Sequence, residues 1–183
     1  GYGKTYTEFT IRPDQVELYN GYLVFGVEVT NSGKEYAGKE VIQVYASAPE
    51  GQLEKPYQEL VAFKKTEELQ PGDSELMMMR VPLAALASYS SAEAAWKLEA
   101  GDYLIRMGNS SRSTQPLAVV RIEQMKKTEQ LKNLFDADAK METITDTEHG
   151  KTALKKKNDR VRKETEKALE FVPVVVADLS QIC

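Results

Sequence analysis

Residues 25–49, FGVEVTNSGKEYAGKEVIQVYASAP, constrain the fold more than any other stretch. Leu23, Phe25, Val27 and Val29 alternate with Val24, Gly26, Glu28 and Thr30. A period of two is that of a strand with one face buried; on a helix it would scatter the apolar residues over all sides. Asn31-Ser32-Gly33 breaks the strand, since Asn and Gly both tolerate positive φ. After the polar run 34–40 the pattern resumes, with Ile42, Val44 and Ala46 on one face and Val41, Gln43 and Tyr45 on the other. The two strands are antiparallel. Their connection is too long for a two-residue hairpin and suits a crossing between the two sheets of a sandwich.

The rest of the chain repeats this rhythm. Phe9 and Ile11 share a strand face that Pro13-Asp14 ends, and Val16 and Leu18 fit a second short strand. Asn20-Gly21 signals a tight turn. Residues 58–65 alternate, Pro71-Gly72 turns the chain, and 74–81 form another strand. Its Met triplet is structural, Leu76 and Met78 facing one way and Met77 and Met79 the other. Residues 82–89 form an Ala-rich turn or short helix. Strands follow over 94–98, carrying Trp96, then from Tyr103 to Met107 and over 117–122. A lone Trp on such a strand is expected in the core. Short strands at these intervals predict a mainly β fold, a two-sheet antiparallel sandwich.

Past Ile122 the composition changes. Met125, Leu131, Leu134 and Phe135 give 123–135 a weak helical pattern, and 136–150 reads as a polar linker. Residues 151–167 hold eight Lys or Arg against three Asp or Glu. Leu154, Val161 and Ala168 recur every seven residues, an exposed helix with a thin apolar stripe that Pro173 ends. Such a stripe needs a partner surface, in this chain or beyond it. The domain division expected is a sandwich over 1–122 and a linker with helical tail over 123–183.

Net charge of -4 argues against nucleic acid as a partner. No apolar run is long enough to span a membrane. Cys183 is the only cysteine, so no intrachain disulfide forms, which is compatible with a cytoplasmic protein.

Four ordered motifs carry a family resemblance. GYGKTYTEF (1–9), VTNSGKEYAGKEVIQVYAS (29–47), KPYQELVAFKKTEELQPG (55–72) and WKLEAGDYLIRMGNSSR (96–112) resemble the fibronectin type III-like domain of family 3 glycoside hydrolases, the β-glucosidase and β-xylosidase group. Ala62 and Ala100 depart from it, standing where Gly and Pro are usual. The resemblance implies a piece of a longer polypeptide that hydrolyses β-linked glycosides with retention. Its nucleophile and acid/base belong to other domains, so no catalytic residue carries over. The implied role is a non-catalytic module docking on the catalytic domains of the same polypeptide, with glycoside met only through the parent enzyme. The tail would then bridge to a following barrel domain. The candidate docking surface is Gln43, Tyr45, Tyr57, Glu59 and Leu60. A free-standing module that binds carbohydrate or protein is the alternative.

The residues themselves offer little chemistry. Glu28, Glu59, Glu75 and Asp102 have no carboxyl partner that spacing can place, as a glycosidase would need. His149 is the single histidine, so neither a zinc site nor a Ser-His-Asp arrangement is expected. Asp136 and Asp138 are followed by Lys140 and Met141 where a calcium loop needs an oxygen ligand and a Gly. Asn109-Ser110-Ser111 is a sequon, here read as a small-residue loop. No cofactor is expected.

Overall fold

A computed structural model describes residues 5–134, 144 and 147–182. The readings for residues 1–4, for the linker over 136–150, for Phe135, for Asp136 and Asp138, and for Cys183 lie wholly or partly outside them. The strands are β1 (Phe9–Tyr19), β2 (Tyr22–Asn31), β3 (Val41–Ser47), β4 (Glu59–Lys65), β5 (Ser74–Pro82), β6 (Ser88–Ser90) and β7 (Ala95–Leu98). They continue with β8 (Gly101–Ser110), β9 (Ser113–Ile122) and β10 (Lys126–Gln130); helix α1 (Glu148–Ala168) and β11 (Val174–Val176) follow. One sheet runs β1-β2-β5, a second β11-β9-β8-β3-β4, and a small third β10-β7-β6.

The first two sheets face each other as the expected sandwich, and β2 and β3 fall in opposite sheets. Alternation decides what lies between them. Phe25, Val27, Met77 and Met79 come from one sheet, and Ile42, Val44, Tyr103, Ile105 and Met107 from the other. Each large apolar side chain removed from water contributes about 1.5–3 kcal/mol. The outward residues of β5, Leu76 and Met78, stay exposed.

Two turns show different physics. Asn20 (φ 48°) and Gly21 (φ 76°) make the β1–β2 hairpin a type I′ turn, which needs positive φ at both places. Asn31 ends β2 for another reason than backbone freedom. Its amide is fully buried and makes four hydrogen bonds. Oδ1 accepts from Thr7 Oγ1 (2.6 Å) and the Gly33 amide (3.1 Å), and Nδ2 donates to the carbonyls of Tyr36 and Leu69 (2.9 Å each).

Several expectations need correction. Pro13-Asp14 does not end β1; a bulge between Pro13 and Val16 lets the edge strand continue, and an edge tolerates the missing N–H. Residues 82–89 do hold the expected short turn, a 3₁₀ turn over Leu83–Leu86, but β6 follows where no strand was expected. Over 123–134, the described part of the expected helical stretch, no helix forms. Met125, Leu131 and Leu134 are exposed, so no apolar face is buried to hold one. Backbone pairing with the open edge of β7 wins, and Leu131 N–H donates to the Ala94 carbonyl at 2.7 Å. Trp96 is not in the core: it is 40 % exposed, because Ala95 and Lys97 on either side of it point inward.

The tail finds its partner surface in this chain. Thr147 Oγ1 caps α1 by accepting from the Gly150 amide at 3.0 Å. Val161 and Ala168 face inward, and Ala168 packs on Leu104 and Val119 of the outer sheet face. β11 adds to β9 in parallel. Ala177 and Ile182 reach the main core.

Candidate functional site

The polar chemistry gathers where the 48–58 loop, the outer face of the five-stranded sheet and α1 meet. Two clusters organise it.

In the first, Glu99 follows β7 and turns its carboxylate under the loop. It accepts from the amides of Gln52 (2.6 Å) and Leu53 (3.3 Å) and pairs with the Lys55 ammonium. The Lys55 side chain is only 2 % exposed, and its Nζ also donates to the carbonyls of Pro49 and Leu53. Burial alone would raise the Glu99 pKa. The hydrogen bond and charge of Lys55 and the Gln52 amide outweigh it and hold the carboxyl below its usual range. Gly51 lets the loop pass this carboxylate, since a Cβ there would lie 2.5 Å from Glu99 Oε2. Lys157 of α1 donates to the Lys55 carbonyl at 2.7 Å, and burial depresses its pKa.

In the second, Glu164 of α1 gathers three donors. Tyr57 OH donates to Oε2 at 2.7 Å, Arg160 Nε to Oε1 at 2.9 Å, and the Arg106 guanidinium closes on Oε2. Arg106 projects from β8, is 7 % exposed at its side chain, and also donates to Ser47 Oγ at 3.3 Å. Arg160 lies over the Tyr57 ring, 4.3 Å from its centroid. Burial opposes the charge on Glu164, but the bonds from Tyr57 and Arg160 and the charge of Arg106 keep its pKa low. Burial first, then the bond to Glu164, raise that of Tyr57.

This arrangement clamps α1 and the 48–58 loop to the sheet. A general acid among carboxylates needs a raised pKa. Among the described residues every resolved carboxylate shift is downward, at Glu93, Glu99, Glu164 and Asp178. A cavity of about 330 Å³ opens between Pro49, Asp102, Asn158 and Val161. Its Asp102 is held bidentate by Arg121 at 2.7 and 2.9 Å. Glu28 and Glu59 are exposed, and Glu75 accepts from the Glu67 amide. No group of three or more metal-ligating side chains occurs among the described residues, and no helix among them is long and apolar enough to cross a membrane.

Residues 40–111 match the family model of the fibronectin type III-like domain. The chain contains such a domain. A β-glucosidase of Kluyveromyces marxianus is 33 % identical over 125 residues, covering 68 % of this chain and 15 % of that protein. β-Glucosidase A of Butyrivibrio fibrisolvens is 37 % identical over 136 residues, 64 % of this chain and 16 % of its own. The solved β-glucosidase of Paenibacillus barengoltzii superposes with a TM-score of 0.69 at 39 % identity, over 72 % of this chain and 16 % of that one. The likeness to the module of family 3 glycoside hydrolases stands, and the chain spans about a sixth of the length of these relatives.

Within the fibronectin III-like domain the five residues expected to form a docking surface divide. Tyr57 is engaged by α1, and Tyr45 is buried with its hydroxyl donating to Gln43 Oε1. Gln43 is half-buried and donates to the Asn109 carbonyl. Glu59 and Leu60 remain exposed on β4. Sequence reasoning missed Lys55, Glu99, Arg106 and Glu164. Lys55 opens the KPYQEL motif and was a visible signal; Arg106 and Glu164 lie 58 residues apart, and no spacing rule links them.

Proposed function

We propose that this chain is a non-catalytic structural module of a retaining family 3 glycoside hydrolase, and that it docks against catalytic domains of the same polypeptide. The observation that carries the reading is the pattern of similarity: identities of 33–39 % to β-glucosidases, over only 15–16 % of their length. The pairing of Glu99 with Lys55 and of Glu164 with Arg106 and Arg160 supports a structural role for this part of the protein.

Of the docking surface, Glu59 and Leu60 of β4 remain available, and Phe63 joins them. Leu60 pairs with Tyr45 and Phe63 with Gln43, on the outer side of the sheet. Leu60 is 50 % and Phe63 69 % exposed, on an edge strand that pairs only with β3 among the described residues. Large apolar side chains on an open edge mark an interaction surface. In this reading the sandwich over 1–122 presents β4 to the catalytic domains, and 123–183 leads on to a following domain.

The test replaces Leu60 and Phe63 with Asp in the full-length protein. The expected result is lower thermal stability and lower glycosidase activity, while the 183-residue chain with the same changes keeps its own melting temperature. Unchanged activity and melting of the full-length protein would remove the docking role.

A further inference from the structure

The small sheet breaks the rule that apolar residues go in and charged residues go out. On β7, Lys97 points inward at 6 % exposure while its neighbour Trp96 points outward at 40 %. A register slip of one residue would reverse the two, so the arrangement is specified. The Glu93 carboxylate holds the Lys97 ammonium. Such local inversions collect at functional sites.

Three side chains line up across the sheet on this outer face. Tyr89 of β6 pairs with Trp96, and Trp96 pairs with Glu129 of β10. The two rings pack against each other, 5.5 Å between centroids and tilted by 55°, and both stay about two-fifths exposed. Asn133 fixes the Tyr89 ring by accepting from its hydroxyl at 3.2 Å. A bulge between Lys127 and Glu129 sets Glu129 beside the indole. Bulges of this kind re-aim a side chain. The Glu129 carboxylate has no hydrogen-bond or ion-pair partner among the described residues.

We propose that Trp96, Tyr89 and Glu129 form a binding site for a β-linked gluco-oligosaccharide. The C–H face of a pyranose is apolar and stacks on an indole, while its rim of hydroxyls donates to a carboxylate. The site offers both, Trp96 as the platform and Glu129 as the acceptor, with Tyr89 packed beside the indole. The choice of a β-linked glucose chain rests on the reading of the protein as part of a β-glucosidase; the stacking geometry does not. The module then holds glycan in addition to bracing its neighbours.

Trp96 is the only tryptophan in the chain, so its emission reports on this site alone. The experiment titrates the 183-residue chain with cellotetraose, laminaritetraose and, as an α-linked control, maltotetraose. A saturable emission change is expected at millimolar concentrations with a β-linked sugar, and a much weaker one with maltotetraose. By calorimetry Trp96→Ala abolishes binding. Glu129→Gln, at an exposed position that leaves the fold intact, weakens it by about tenfold. No saturable change with either β-linked sugar would overturn the proposal, as would equal binding of maltotetraose or calorimetric binding that survives Trp96→Ala. A failure here leaves the docking test at Leu60 and Phe63 untouched, and the reverse also holds.

Discussion

Glu164 on α1 grips Arg106 on β8, and this contact fastens the helix to the outer face of the sheet. Arg106 is buried and Glu164 half-buried, so the pair lies between a surface ion pair and a core one. Glu164→Ala leaves a cation and the Tyr57 hydroxyl without their acceptor. The expected loss is about 1–3 kcal/mol by urea denaturation, between the ranges for exposed and buried pairs. Amide exchange would locate the effect in α1 and β11, with β2 and β5 unchanged. Uniform loss of protection across all strands would show that the tail is inseparable from the sandwich.

Glu99→Ala acts on the loop. Lys55 would be left as a buried, unpaired charge, which costs about 3 kcal/mol. The double variant Glu99→Ala/Lys55→Met should recover most of that loss, because the stranded charge is gone. Equal destabilisation in the single and double variants would mean that the amides of Gln52 and Leu53, not the cation, are what Glu99 serves.

Asn31→Ala strands the Tyr36 carbonyl, takes one of two donors from the Leu69 carbonyl, which keeps the Gly38 amide, and removes the acceptor of Thr7 Oγ1. The predicted cost is about 2–4 kcal/mol, read from denaturant midpoints. Asn31→Gly at the same position would be much milder if positive φ were the reason for Asn, and φ at Asn31 is not positive.

Acid weakens both clusters in a defined direction. Unfolded, Glu99 and Glu164 protonate near about pH 4.3. Folded, their pKa values lie lower. Between the two values the unfolded chain holds more protons, so stability rises with pH there. The contribution is complete above the unfolded value and is lost as pH falls through the folded ones. Denaturation at neutral pH and at about pH 3 should show the loss in the native chain and less of it in Glu164→Gln.

The sandwich was legible because its faces alternate, and period two on either side of a turn survives any tertiary context. Met77 and Met79 went in and Met78 stayed out as the pattern required. Trp96 was illegible because Lys97 took the inward place, where Glu93, four residues earlier, pairs with its ammonium. β10 was illegible because its stability comes from the open edge of β7 and not from its own residues. The clamp on α1 depends on residues far apart in the chain, and only the fold brings Tyr57, Arg106 and Glu164 together. Lys55 was half legible, a basic residue at the head of a motif whose buried partner no spacing pointed to.

The central claim is that this chain works as one part of a larger glycosidase. An antibody raised against the 183 residues, used on extracts of the source cells, measures the native product directly. The account predicts a polypeptide several times heavier than 20.5 kDa that carries β-glucosidase activity in the immunoprecipitate. A native product near 20.5 kDa, without such activity, would contradict it.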